Sequence, residues 1–576
     1  MKEYLTRRDF LKTLSVGAVG VAATAALVGC AGAGDDTTAS TGNSATAGMV
    51  DSTGGTIDTT QNTHDYSDAA IQTTELIPKQ GGILTAAGNR DPGHVGPFGP
   101  QGRDSYLRVS YQTLLQIGPG EDGQGVNAYN MMAETIEPKG NGVYAIKLYD
   151  GIIDHNGNPF TSKDVDFCIK AFIEEGSLPD RTANFDHTNI IDDTHLEIVM
   201  KDPEQWYAFE IMLDAVCMVT QASYEASSDG MQTMPISTHA YKVTSYVPGV
   251  EIKTARWDKY WHAGDKATTM FDLQNPDEVN LLLITDQSAI AIALQTGQIN
   301  ITGSLSAADR PNFVNPDGSA VAGYNVKYTA SSNTVNLMFI VKEGTICDDI
   351  NLRKAFAYAI DWDAIAYTAN GDLGHRSPTV VTNNCTDCPE EFKDATYHYF
   401  EYDPEKATEF LKQSNYKGET IRLLVDPNKG TRAGAVVVQS YLDAVGITVE
   451  LLNWDNALYK ATELGDANEY DIDFIFMDGS MKPTYKALRW LDGNNFTNGL
   501  PRTQLADPKL DELYADASQT ARYYEGASKA LIDYVVEEKV WIIPGYYFEG
   551  CQYMSSEIKS IQVAKNPSYG SAVLVD

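Results

Sequence analysis

Between residues 418 and 479 the chain switches repeatedly between two hydrophobic patterns. "GETIRLLVDPNKG" carries a short unbroken run of Ile, Leu and Val that stops at Asp426-Pro427. That is the pattern of a buried strand, ended where proline removes a backbone donor. "AGAVVVQSYLDAVG" then spaces its apolar residues at helical intervals and stops at Gly446, a residue that accepts the backbone of a helix end. "ITVELLNW" alternates as a second strand, "NALYKATELGD" predicts a short helix, and "YDIDFIFMDG" predicts a third strand. Strand-helix-strand-helix-strand implies parallel pairing with right-handed crossovers. Ligands of such sheets bind beyond the carboxyl ends of the strands. The three ends here supply Asp426, Trp454 and Asp478, two carboxylates flanking a broad aromatic face. Capping or packing is the alternative role for each of them.

The same reading extends along the chain. "NPFTSKDVDFCIKAFIEEG" opens with a Thr161-to-Asp164 capping pattern, and Val165, Ile169, Phe172 and Ile173 line one helix face. "TDQSAIAIALQTGQINI" predicts a helix started by Asp286 and stopped near Gly297, followed by a short strand. "YDPEKATEFLKQSN" has Asp403 as N-cap and Pro404 at the first helical position. The sequence thus predicts several α/β pieces, without internal repeats.

The amino terminus follows neither pattern. "TRRDFLKTLSVGAVGVAATAALVGC" joins a basic start to an apolar run from Leu14 to Val28, too short to span a bilayer comfortably. Thr6-Arg7-Arg8-Asp9-Phe10-Leu11-Lys12 resembles a twin-arginine export signal. Leu27-Val28-Gly29-Cys30 resembles a bacterial lipobox, in which Cys30 is acylated and becomes the mature first residue. Residues 31–78 are rich in Thr, Ser, Gly, Ala and Asp and nearly empty of large apolar side chains, so they are expected to form a flexible stalk. The folded body begins near Lys79-Gln80-Gly81-Gly82.

Charge narrows the partners. Forty-three basic against 78 acidic residues give −35, and removing a leader with four basic and two acidic residues leaves −37. Without a Lys/Arg cluster such a surface repels phosphate-rich partners, so no nucleic acid is expected. Enzyme motifs are missing: there is no H-E-x-x-H, no Walker phosphate loop and no G-x-S-x-G elbow. The nine histidines are scattered. His187 and His195 lie among carboxylates but without the convergent third ligand a metal site needs, so no metal or cofactor is expected. Cys385 and Cys388 in "NNCTDCPEEF" lie in loop-forming sequence. Outside the cytoplasm a small-loop disulfide is expected there, with two thiols as the alternative. Cys168, Cys217, Cys347 and Cys551 read as small apolar packing residues.

"GGILTAAGNRDP", "YDGIIDHNGNPFTSKDVDFCIKAF", "YKVTSYVPG", "AIALQTGQINI", "NLRKAFAYAIDWDAIA" and "EYDPEKATEFLKQSNY" resemble, in order, the successive blocks of the family 5 solute-binding proteins. These are the extracytoplasmic receptors of peptide and nickel ABC importers, and the resemblance covers residues 79–565. It implies a two-lobed α/β fold of the periplasmic-binding-protein kind (type II), closing over a ligand, with an extra subdomain in the first lobe. The expected layout is lobe I over 79–335, with its extra subdomain about 120–234, lobe II over 336–544, and a return to lobe I over 545–576. Crossings between lobes are expected near "NTVNLMFIV" and "VWIIPGYYF". The resemblance also implies a monomer that is not an enzyme and that serves the transmembrane subunits of a permease, and the lipobox adds the expectation that lipidated Cys30 holds it outside the cytoplasm.

Two departures from the family bear on the ligand. The family's Gly-Thr-Gly-Pro-Tyr turn appears as Ser237-Thr238-His239-Ala240-Tyr241. In the peptide receptors an aspartate that pairs with the ligand's amino terminus follows a tryptophan; here that tryptophan is missing and Asp478 is the nearest carboxylate. Oligopeptide or dipeptide is the first expectation, with ligand contacts at Asp426, Trp454, Asp478 and Tyr546, although in "PGYYFEG" either Tyr546 or Tyr547 can face the cleft. Nickel chelates, haem and other small solutes are alternatives within the family. An exported redox enzyme using Cys385 and Cys388 is the alternative outside it.

Overall fold

The computed structural model describes residues 49–50, 56–57, 81–88, 91–98, 107–118, 127–176, 178–203, 205–329, 333–382, 385, 387–427, 431–455, 458–459, 462, 469–478, 483–491, 507–519, 525–563 and 568–574. Cys30, the export signal and nearly all of the stalk lie outside the described residues.

The apolar run after residue 420 forms the strand Ile421–Val425. It pairs in parallel with Val449–Leu452 on one side and Ile472–Asp478 on the other. The intervening helix Thr431–Val445 turns Ala435, Val437, Val438, Tyr441 and Leu442 inward, and the chain leaves it at Gly446 with φ 95°, a conformation that costs glycine little. The parallel β-α-β core therefore forms as the periodicity predicts.

The sheet does not stop there. Ile472–Asp478 pairs antiparallel with Asn333–Phe339, which pairs antiparallel with Ile542–Phe548, and Gly374–Arg376 closes the edge. The result is a six-stranded mixed sheet. The helices Ile350–Ala359 and Trp362–Asn370 bury Phe356, Trp362 and Ile365 in the same apolar cluster as the strands. Asp403 caps Pro404–Gln413 by accepting from the Lys406 N–H at 2.9 Å, as the sequence predicts.

A second sheet has seven strands, in the order Tyr241–Val247, Glu251–Arg256, Glu278–Leu283, Ile83–Gly88, Ile301–Thr302, Gly550–Ser555 and Tyr324–Thr329. Asp286 caps the neighbouring helix Gln287–Gln295 through the Ala289 N–H. A separate four-stranded antiparallel sheet, Ala133–Gly140, Val143–Leu148, His195–Met200 and Phe185–Ile190, packs with the helix Ser162–Glu175. That helix starts at the expected capping box: the Asp164 carboxylate accepts the Thr161 N–H at 2.7 Å.

The fold is thus two-lobed α/β, with an additional subdomain in the first lobe. Its lobes are joined where the chain changes sheets, between Thr329 and Asn333 and again at Glu549. The two crossings run side by side, because Thr329 pairs with Gly550 in one sheet and Thr334 with Tyr547 in the other.

Candidate ligand cleft

Three parallel strands point their carboxyl ends at one edge of the six-stranded sheet, and the sequence puts Asp426, Trp454 and Asp478 there. The Asp426 N–H still donates to the Phe474 carbonyl at 3.3 Å, so the strand continues to the residue before Pro427. Its side chain is only 2% exposed. Trp454 is half-buried, packed against the cluster of Ile340, Leu424, Tyr459 and Tyr470, while its carbonyl accepts a hydrogen bond from Arg432. Asp478 ends its strand in register with Asn333, the first residue of the outgoing crossing strand. One sheet edge therefore carries two aspartates beside the hinge.

Tyr546 requires a correction. Its ring is fully buried in the second lobe's core, 6.3 Å from Phe474, and its hydroxyl lies under Gly434 of the helix Thr431–Val445. Burial, with the Asp426 charge second, pushes the hydroxyl well above its ordinary pKa. Tyr546 thus supports the strand end from below instead of lining the cleft. Sequence reasoning missed Phe476 and Phe548, a half-buried pair 6.0 Å apart at the same edge. The alternation of Phe474 with Phe476 and of Tyr546 with Phe548 is the signal that reveals them.

The altered turn of the first lobe is structural. Thr238 Oγ1 donates to Gln112 Oε1 at 3.3 Å, Gln112 Nε2 donates to the Tyr260 hydroxyl at 2.7 Å, and Trp261 Nε1 donates to the Thr238 carbonyl at 3.1 Å. His239 is 3% exposed, with Nδ1 2.6 Å from the Val109 carbonyl. Burial lowers its pKa from 6.5 to about 4. An unfolded chain therefore takes up a proton below pH 6.5 that folded His239 refuses until about 4. The stability held by neutral His239 is complete above 6.5 and is lost as pH falls through that window, by an amount on the order of 3 kcal/mol. Denaturant melts at pH 7.5 and 4.5 should show this loss in the wild type and a flatter dependence in His239→Gln.

The remaining candidates do not converge. His187 and His195 are exposed and each sits 2.9 Å from an aspartate close in sequence. Among the described residues no group of three or more His, Cys, Asp or Glu side chains gathers as for a metal. Cys385 and Cys388 stand as two buried thiols and not as the expected disulfide. The Cys388 N–H closes a turn onto the Cys385 carbonyl at 3.3 Å, and both side chains pack into the second lobe's apolar cluster. Asp387, between them, accepts from the Thr484 N–H at 2.7 Å and from the Ser528 hydroxyl. Backbone and carboxylate hydrogen bonds thus do the work that a covalent ring was expected to do.

The model of the bacterial extracellular solute-binding proteins, family 5, matches residues 127–498. The chain belongs to that family. It is a solute-binding protein and not an enzyme. A glutathione-binding protein GsiB from Pectobacterium atrosepticum is 23% identical over 429 residues, covering 72% of this chain and 78% of that one. Among solved structures, the ABC transporter substrate-binding protein CtaP from Listeria monocytogenes superposes with a TM-score of 0.71 at 19% identity, covering 86% of this chain and all of that one. The oligopeptide-binding protein AppA from Bacillus subtilis, in complex with a nonapeptide, superposes with a TM-score of 0.69 at 18% identity over 87% of this chain and all of that one. No helix among the described residues is long and apolar enough to cross a membrane.

Proposed function

We propose that this family member is the lipid-anchored receptor of an ABC importer, that its solute is a short peptide, and that the peptide's amino terminus is held at the acidic edge of the second-lobe sheet. The observation that carries the reading is the gathering of Asp426 and Asp478 at one sheet edge beside the crossings. A cation between lobes suits two carboxylates, and the half-buried Phe476 and Phe548 offer apolar contact that tolerates varied side chains. Relatives named for glutathione and oligopeptide binding support the same class of solute.

Titration calorimetry with peptides of two to nine residues, each with a free or an acetylated amino terminus, tests this. Free termini should bind at least about tenfold more tightly, because a hydrogen bond to a charged group contributes roughly 1.5–3 kcal/mol. Equal affinities would remove the amino terminus from the recognition.

The anchor is read from Cys30 and the stalk. A receptor must meet solute outside the cell yet stay close to its permease, and an acylated cysteine on a flexible tether satisfies both demands. Cys30→Ala should move the protein from the washed membrane fraction to the soluble one. Retention on washed membranes would contradict the anchor.

A further inference from the structure

The lobes touch at places other than their two crossings. One contact belongs to the hinge itself: Arg310 pairs with Asp372 at 2.8 Å, and the Glu549 N–H donates to the Leu373 carbonyl at 2.9 Å. Another involves neither crossing. Gln519, at the end of the second-lobe helix Pro508–Gln519, donates to Asp202 of the first lobe at 2.9 Å. The helix that follows Asp202, Trp206–Ala215, carries Tyr207, among the largest fully buried side chains yet outside the first lobe's apolar core. Its helix neighbours Phe209, Met212 and Leu213 do belong to that core. Burial dominates the environment of the Tyr207 hydroxyl, followed by the charges of Arg181, Asp214 and Glu210 of its own lobe and then by the Cys385 thiol of the second lobe. Tyr485, also dominated by burial, feels Asp387 first and Asp202 of the first lobe after it. Asp387 fastens the Cys385 segment to the helix carrying Tyr485, through Thr484.

We propose that Tyr207 and Asp202 of the first lobe close against Cys385, Tyr485 and Gln519 of the second, forming a latch that holds the cleft shut apart from the hinge. Tyr207 and Ile211, one turn apart, are both buried yet outside the first lobe's apolar core, so this helix face is covered by other elements, Arg181 of its own lobe and the Cys385 segment of the second among those near Tyr207. The Asp202–Gln519 hydrogen bond is exposed and contributes less. The latch also gives the Cys-x-x-Cys segment a mechanical role. Because a two-state receptor binds in proportion to the fraction in its binding-competent state, these residues set affinity without touching solute. The latch rests on the cleft reading above, but its test needs no solute.

Cys385 is the reporter. Reduced protein is treated with iodoacetamide and labelling of each cysteine is followed by peptide mass spectrometry, with buried Cys347 and Cys551 as internal controls. Labelling of Cys385 should be about tenfold faster in Tyr207→Ala than in the wild type, with the controls unchanged. Gln519→Ala, an exposed change that leaves the fold intact, should accelerate it about two- to fivefold. Small-angle scattering should show a larger radius of gyration for Tyr207→Ala. Cys385 labelling that is equally fast in wild type and both variants would overturn the latch. So would acceleration of all three cysteines together in Tyr207→Ala with no effect of Gln519→Ala, which marks Tyr207 as a folding residue.

Discussion

Gly545→Ala should lower the melting temperature of the second lobe by roughly 6–12 °C, the shift that about 3 kcal/mol produces in a unit of about 200 residues. Gly545 sits in the returning crossing strand Ile542–Phe548, where the register shifts between Val335 and Asn336. An added Cβ would collide with the Val335 carbonyl oxygen and come within 2.9 Å of the Trp362 ring. Neither neighbour can give way. The carbonyl belongs to the paired crossing strand, and Trp362 is 2% exposed inside the core. Relief would require moving the strand away from the helix Trp362–Asn370, and the Ser377 N–H bond to the Gly545 carbonyl, 2.9 Å, would go with it. Thermal melts of the two proteins measure the effect. A melting temperature within about 2 °C of wild type would mean that the strand and helix do not approach as closely as described.

The second large effect concerns binding. Asp478→Ala should weaken the natural solute roughly tenfold to a hundredfold while leaving the melting temperature nearly unchanged. Asp478 is the last residue of its strand, in register with Asn333 where the outgoing crossing strand begins. Asp426 is a different case, since it is 2% exposed and lies close to the Tyr546 hydroxyl. Replacing it should cost stability as well as affinity. Calorimetry with the released solute, run beside melts of each variant, separates the two residues. Unchanged affinity in Asp478→Ala would remove it from the site, and a collapsed melting temperature would make it structural.

The sequence reveals those parts of the fold that rest on local pattern. The three parallel strands, the helix ending at Gly446 and the caps at Thr161, Asp286 and Asp403 all follow from spacing and capping chemistry. The crossings were anticipated from family resemblance, but their insertion beside Ile472–Asp478 as central antiparallel strands was not legible. Pairing between residues about 140 apart in sequence leaves no local signature. The misplacement of Tyr546 has a narrower cause. A register shift in the Ile542–Phe548 strand breaks the simple alternation around Gly545, so the faces of Tyr546 and Tyr547 cannot be counted from a neighbouring position. The burial of Cys385 and Cys388 was hidden by the surrounding Asn, Asp and Pro, which suit a loop equally well whether it is exposed or held down through Asp387.

Mass spectrometry of solute released by denaturing protein purified without refolding tests the central claim most directly. The account predicts a peptide, at up to one equivalent per chain and with a free amino terminus, that rebinds to the emptied protein. A stoichiometric metal chelate or haem, or a released solute that does not rebind, would contradict it.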